Sequence, residues 1–289
     1  MTTIGIIGAG RVGAALGLYL TRRGEAVCGY YSRTYEHALQ AAALAGGGAT
    51  AFSAVSPLIE QSDWIAITTN DGAIEQVAGL IAASGVQLNG KLFFHMSGAE
   101  TSGLLHSLSD KGAMVASLHP LQTIADGRLG AEAMEKAMFG IEGDTEAAAL
   151  LTVWVKRLGH ACFVLEQSQK PLYHAAASIA SNSLVGVIGY AVELMKAAGM
   201  EDTQALRALL PLIEATLHNV KEKGVEQALT GPIARGDVDT VKKHLAAITR
   251  TNPEWSTFYT SLGKITLTVA ERSTLKNKGA ISDFTRLFE

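Results

Sequence analysis

The sequence predicts a doubly wound, parallel α/β domain over residues 1–166, followed by an all-helical domain over residues 167–289. Two observations support this division. Up to about residue 165, short apolar runs alternate with amphipathic stretches, a pattern typical of parallel strands joined by helical crossovers. Beyond residue 170, long helical stretches are separated only by glycine and proline breaks.

The alternating pattern assigns the elements of each domain in chain order. In the first domain we expect strands at residues 4–7, 26–31, 49–52, 64–68, 91–95 and 113–118. The helices between them are predicted at residues 11–20, 34–45, 71–83 and 101–109. Segments 136–142, 145–158 and 161–165 are expected to complete the sheet as strand, helix and strand. In the second domain, helices are predicted at residues 170–198, 202–220, 237–249 and 253–271.

The motif that best defines the first domain is a glycine-rich turn between the first strand and the first helix. Gly8 permits a tight turn, Gly10 lets the backbone approach a pyrophosphate, and Gly13 lets the helix pack close to its strand. The N-terminus of that helix presents free N–H groups and a positive dipole to phosphates. We therefore expect a dinucleotide to bind along Gly8, Ala9, Gly10, Arg11, Val12 and Gly13.

The end of the second predicted strand indicates which dinucleotide. An acidic residue about 20 positions past the glycines normally binds the adenosine ribose. Here the chain has Ser32, Arg33 and Thr34, with no carboxylate. A cation and two hydroxyls suit a 2′-phosphate, which favours NADP over NAD. The alternative is that Ser32 or Thr34 caps the next helix and Arg33 is a solvated surface charge.

Composition excludes several other classes of protein. The net charge is −3, 18% of residues are charged, and no run of Lys or Arg suggests a nucleic-acid partner. The two cysteines and eight histidines show no metal-ligand spacing, so we expect no metal. Segment 175–192 carries no charge, but its serines, glycines and asparagine favour a packed helix over a membrane span. A cytoplasmic protein is expected.

Three loops of the first domain carry polar residues where strands end. Thr68 and Thr69 follow the fourth strand, Ser97 the fifth, and His119 the sixth. Parallel strands bring these loops to the same edge of the sheet, where ligands of such folds bind. His119 is the first candidate for acid–base chemistry, because an imidazole titrates near neutral pH. The alternatives are that His119 and Ser97 only shape their turns.

The helical half adds two groups of polar candidates. Lys170 and His174 are four residues apart and share a helix face, with Asn182 two turns further on. Arg235 follows a Gly-Pro turn and is a candidate for binding a substrate carboxylate or phosphate. The alternatives are a snorkelling lysine, a surface histidine and an arginine that only stabilises its turn.

With these residues in view, the chain resembles the Rossmann-like, short-subunit dehydrogenase-like oxidoreductases, whose helical C-terminal half is a domain of unknown function. The resemblance rests on segments 8–13, 95–99, 117–122, 170–176 and 230–237. His119-Pro120 is also similar to a segment of prephenate and arogenate dehydrogenases in which the histidine contacts the reacting hydroxyl, and Ser97 to their upstream serine. Lys170 and His174 are placed like the Lys and Asn of β-hydroxyacid and 6-phosphogluconate dehydrogenases. Pyrroline-5-carboxylate reductase shares the order of domains.

The resemblance implies an NADP-dependent oxidoreductase for a small polar, carboxylate-bearing substrate. Taken together with the polar candidates above, it implies catalytic roles for His119, Lys170, Ser97 and His174 and a homodimer formed through the helical domain. Asn182 and Arg235 stay candidates for substrate binding on the strength of the residues alone. Two alternatives stay open at this point. One is an imine reductase, and the other is an NADP-binding sensor or scaffold without turnover.

Overall fold

The computed structural model describes residues 2–289, which form two compact units. The first unit ends at Asn182 and the second begins at Ser183. The division therefore comes later in the chain than the predicted boundary at residue 167. The reason is that the first turns of the helix after residue 169 pack on the sheet through Lys170 and Tyr173.

An eight-stranded sheet forms the centre of the first unit, in the order β3-β2-β1-β4-β5-β6-β7-β8. The predicted doubly wound order is thus confirmed, with two further strands at one edge. The strands are β1 (Thr3–Ile7), β2 (Ala26–Tyr31), β3 (Thr50–Phe52), β4 (Trp64–Ile67), β5 (Leu92–His95), β6 (Met114–Pro120), β7 (Phe139–Gly143) and β8 (Cys162–Val164).

Helices cover both faces of this sheet. They are α1 (Arg11–Arg22), α2 (Tyr35–Ala45), α3 (Val55–Glu60), α4 (Ile74–Ala83), α5 (His106–Ser109), α6 (Gly127–Met134), α7 (Thr145–Arg157) and α8 (Lys170–Ser178). Consecutive strand residues belong to opposite cores: Ala66 joins one hydrophobic cluster, and Ile65 and Ile67 join the other. A parallel sheet covered on both faces requires this, because successive side chains point to opposite sides.

Two features of the first unit differ from the sequence prediction. β7 runs antiparallel to β6, although the expected crossover pattern would make it parallel. This antiparallel ladder extends β6 to Pro120, so His119 lies in the strand, opposite Gly140, and not in a loop after it. The short helices α3 and α6 were not predicted, because each is too brief to show a helical period in the sequence.

The second unit contains only helices among its residues, as predicted. They are α9 (Leu184–Ala197), α10 (Asp202–Ala228), α11 (Pro232–Arg235), α12 (Val238–Thr251), α13 (Pro253–Arg272) and α14 (Lys278–Phe288). The expected helix over 170–198 is instead α8 and α9 joined by a π-helical turn, Ile179–Ser183. Val241, Leu267, Phe284 and Phe288 form the core of α12, α13 and α14.

One helical stretch, Gln167–Ala197, is long and apolar enough to cross a membrane, judged by length and composition alone. None of its most apolar window is buried within a single copy of the chain. Its apolar side chains include Leu172, Ile179 and Val185, each of them largely exposed.

Candidate nucleotide and catalytic site

The glycine turn after β1 has the geometry that its three glycines allow. Gly8 has φ +104°, and a Cβ there would lie 2.8 Å from the carbonyl carbon of Thr68. A Cβ on Gly13 would collide with the carbonyl oxygen of Gly8. The Thr68 hydroxyl donates to that same oxygen at 2.7 Å, so β4 fixes the turn from the side. Gly8 and Gly13 are therefore required by packing within the protein itself.

Gly10 differs from the other two glycines, because nothing lies within 4 Å of the position its Cβ would take. It is exposed and is the N-cap of α1, and no side chain caps the free N–H groups of that helix. The first turn of α1 also carries no acidic residue. An open, uncapped helix N-terminus of this length is suited to an anionic phosphate group, so the residues present fit a dinucleotide.

The end of β2 also keeps its polar groups free. Thr34 is the N-cap residue of α2, but its side chain makes no capping hydrogen bond. Arg33 is exposed and forms no ion pair with the other residues that the structure describes. Ser32 is half-buried. The capping alternative for Thr34 is therefore not supported, and the side chains remain available to an anion.

Thr69 and Ser97 lie on the loops that leave β4 and β5, as predicted. The Thr69 hydroxyl is buried and has no hydrogen-bond partner in residues 2–289, whereas the Ser97 hydroxyl oxygen accepts N–H bonds from Ala99 and Glu100. Ser97 thus shapes its own turn. His95 supports the same loop: its Nδ1 accepts the Ser97 N–H at 3.2 Å, and its Nε2 lies 3.0 Å from the carbonyl oxygen of Thr101.

His119 contacts two aromatic residues of α8. Its Nδ1 lies 2.7 Å from the Tyr173 hydroxyl, and its ring meets that of His174 edge to face with centroids 6.1 Å apart. Two glycines make room for this arrangement. A Cβ on Gly98 would lie 2.8 Å from His119 Nε2 and 2.5 Å from His174 Nδ1, and one on Gly140 would lie 3.1 Å from the Tyr173 hydroxyl.

The environment of His119 keeps its imidazole uncharged. Burial lowers its pKa to about 4, and electrostatic interactions with His174 and Lys170 act in the same direction. Burial also raises the pKa of Tyr173 to about 12, so the phenol stays protonated. In the neutral tautomer whose Nδ1–H donates to the Tyr173 oxygen, Nε2 is unprotonated and is the atom that can accept a proton.

Lys170 is 1% exposed although it begins a helix. Its Nζ donates to the Ser117 hydroxyl and lies 3.8 Å from Oε2 of Glu142, which is 2% exposed. Burial lowers the pKa of Lys170 to about 8, and the charge of Glu142 opposes that shift. The side chain is thus enclosed in the first unit, contrary to the snorkelling alternative.

The two remaining predicted residues belong to different units. Asn182 is exposed in the π-helical turn, and Arg235 is exposed at the end of α11 in the second unit. Glu142 and Tyr173 were not predicted as site residues. For Tyr173 a signal existed, since it lies between Lys170 and His174 at the start of one helix. No group of His, Cys, Asp and Glu side chains that could hold a metal occurs in residues 2–289.

Two family models match successive portions of the chain. Residues 1–120 match a model described as a Rossmann-like domain, and residues 137–266 match one described as a domain of unknown function, DUF2520. The DUF2520 match begins before β7 and so includes strands of the sheet as well as the helical half. The search of curated proteins found no match to this chain.

Solved structures share this fold over nearly the whole chain. A Bacteroides fragilis protein provisionally assigned as an NADP oxidoreductase has a TM-score of 0.71 at 24% identity, covering 93% of this chain and 98% of its own. A reductive aminase from Aspergillus terreus, in complex with NADPH and ethyl-5-oxohexanoate, has a TM-score of 0.65 at 19% identity and 100% coverage of both chains. Pyrroline carboxylate reductase from Plasmodium falciparum, with NADP bound, has a TM-score of 0.61 at 13% identity, covering 100% of this chain and 98% of its own.

Proposed function

We propose that this protein is an NADP(H)-dependent oxidoreductase that acts on a small polar, carboxylate-bearing substrate. The observation that carries the proposal is the uncapped N-terminus of α1 beside the open space at Gly10, on the sheet edge to which the strand of His119 also runs. Structural neighbours described with NADP or NADPH support the choice of cofactor. The bound nucleotide would supply the hydride, and the chain would bind, orient and exchange a proton.

Each residue group has a separate role in this proposal. The N–H groups at the start of α1 bind the diphosphate, and Ser32, Arg33 and Thr34 bind the 2′-phosphate. Thr69, with its unpartnered hydroxyl, lies at the β4 end of the same edge. His119 Nε2 accepts the proton released when a hydroxyl or amine is oxidised and returns it on reduction. Arg235 is the cation that we propose for the substrate carboxylate, and Asn182 a further hydrogen-bonding group.

The reacting bond is either C=O or C=N. The reductive aminase among the structural neighbours makes C=N a specific second candidate. A scan of 2-oxo acids against cyclic imines, followed by NADPH absorbance, separates the two. Tight NADPH binding without oxidation of NADPH by either class would instead support a nucleotide sensor.

Arg33 provides the first test of the cofactor. We expect calorimetry to show tighter binding of NADPH than of NADH, because Arg33 offers a cation to the 2′-phosphate. Replacing Arg33 with Asp should narrow or invert that preference by adding a charge that repels the phosphate. Arg22→Asp, on the last turn of α1, is the control and should keep the preference. An unchanged preference in Arg33→Asp would mean that Arg33 does not contact the phosphate.

Gly10 provides a test that separates binding from folding. Gly10→Ala should leave the melting temperature nearly unchanged, because its Cβ meets no protein atom within 4 Å. It should nevertheless weaken NADPH binding about 100-fold, roughly 2.8 kcal/mol, because the methyl group occupies the approach of the diphosphate. Gly79→Ala on α4, where a Cβ also meets nothing, is the matched control and should bind as the parent does. Parental affinity in Gly10→Ala would place the nucleotide elsewhere.

A homodimer is the assembly that we propose for this enzyme. The apolar side of Gln167–Ala197 is left uncovered by the chain itself, with Leu172 79% exposed and Val185 69% exposed. Burying such side chains against a second copy would be favourable by the hydrophobic effect. Helix α8, within this stretch, contributes Lys170, Tyr173 and His174 to the site, so dimer formation would also restrict the motion of these residues.

A further inference from the structure

A buried carboxylate, Glu142, contacts Lys170 of the proposed site. Glu142 lies on β7, a strand that the sequence did not connect with that site. Glu142 on β7 is opposite Ser117 of β6, and Ser117 is opposite His95 of β5. The three residues therefore form a row across neighbouring strands on one face of the sheet. Lys170 lies over this row, with its Nζ at Ser117 and 3.8 Å from Glu142.

Glu142 is arranged as an ionised acceptor. Its Oε2 accepts the backbone N–H of Ser102 at 2.8 Å, and its Oε1 accepts the Ser102 hydroxyl at 2.7 Å. With the ammonium of Lys170 near Oε2, the carboxylate faces three donor groups although it is only 2% exposed. Buried carboxylates stay charged when they are matched in this way. Glu142 thus joins β7, the start of the helical segment after the β5 loop, and α8.

The charge of Lys170 depends on this carboxylate. An ammonium that is 1% exposed loses most of its hydration, which favours the neutral amine. The negative charge of Glu142, 3.8 Å from Nζ, favours the ammonium and so opposes the effect of burial. The other titratable groups that act on Lys170 are the carboxylates of Asp71 and Glu100, which favour its charged form. The charge of Lys170 in turn lowers the pKa of His95 and of His119.

We propose that Glu142 is a positioning residue that keeps Lys170 protonated and held against Ser117, so that the site retains one fixed cation. The inference rests on the proposed function, because the cation has a catalytic purpose only in that reaction. A fixed cation stabilises the negative charge that develops on a reacting oxygen. It also repels a cationic iminium. A site with this charge is better suited to a carbonyl or hydroxyl substrate than to an iminium ion.

The titration of Lys170 tests the proposal directly, without nucleotide or substrate. Protein labelled with ¹³C at lysine Cε is titrated by NMR between about pH 6 and 11, and Lys170→Arg assigns the Lys170 signal. In the parent, Lys170 should titrate well below the surface lysines. In Glu142→Gln the acid dissociation constant of Lys170 should rise at least about tenfold, because the opposing carboxylate is lost. An unchanged midpoint would overturn the proposal.

Two further variants keep the test decisive if Glu142→Gln folds poorly. Glu142→Asp keeps the charge and should restore a midpoint near that of the parent. Ser102→Ala removes one of the two bonds that fix Glu142 and should shift the midpoint in the same direction as Glu142→Gln, but less; no shift in Ser102→Ala would also count against the proposal. NADPH affinity, measured by calorimetry, should stay at the parental value in all three. If the parent protein itself did not bind NADPH, the proposed function would be refuted. The Lys170 titration would still test the role of Glu142.

Discussion

Replacing His119 with Ala is expected to lower kcat by about 10²–10⁴-fold on whichever 2-oxo acid or cyclic imine the parent reduces. The reason is that His119 is the only imidazole of the described site whose Nδ1 is held by a protonated phenol, at 2.7 Å from Tyr173, while Nε2 remains to meet the reacting group. Stopped-flow absorbance of NADPH under single turnover measures the hydride step itself.

His106→Ala is the matched control for His119→Ala. His106 is exposed on α5 of the same unit and bonds only to the carbonyl oxygen of Gly103, so its loss should leave kcat unchanged. NADPH affinity should stay at the parental value in both variants. Retained turnover in His119→Ala would reduce His119 to a structural part of β6. Tyr173→Phe tests the orientation of the His119 ring by itself, because it removes the hydroxyl bonded to Nδ1 and keeps the imidazole. It should lower kcat, but less than His119→Ala does.

Lys170→Met should destabilise the first unit by about 3–5 kcal/mol at neutral pH, because it leaves the buried Glu142 carboxylate without its cation. Urea unfolding followed by tryptophan fluorescence measures the change, since Trp64 and Trp154 both lie in the first unit. The double variant Lys170→Met with Glu142→Leu should recover part of the loss, because no uncompensated charge remains.

The control for Lys170→Met is an ion pair in the same unit whose cation is exposed to solvent. Arg157 bonds Glu25 at 2.9 Å with more than half of its side chain exposed, and Trp154 also donates to that carboxylate. Arg157→Met should therefore cost less than about 1 kcal/mol. An equally small cost for Lys170→Met would show that the buried Lys170 contributes no more to stability than the solvent-exposed Arg157.

The sequence predicted those parts of the molecule that local patterns determine. The turn at Gly8, Gly10 and Gly13 is encoded within six consecutive residues, and it has the predicted geometry. The alternation of apolar runs with helical stretches was sufficient to predict a doubly wound, mostly parallel sheet. His119 was predicted to lie at the carboxyl edge of the sheet, and it does lie at that end of β6.

Contacts between distant segments were beyond such patterns. Glu142 is 28 positions from Lys170 and 40 from Ser102, and it meets both only because β7 runs antiparallel to β6. A single short strand carries no sign of its direction in its residue pattern. Lys170 and His174 were predicted to share a face, but their side chains reach different partners: Lys170 turns to Ser117, and His174 packs at Gly98.

The reversed strand β7 also marks a seam between the two family models. Gly8, Ser97 and His119 fall within residues 1–120, while Glu142, Lys170 and Tyr173 fall within residues 137–266. The two sets meet across the β6–β7 ladder, where His119 is opposite Gly140. Neither portion of the chain holds the whole constellation alone. The proposed site therefore forms only when both portions fold together, because His119 comes from one side of this seam and Tyr173 from the other.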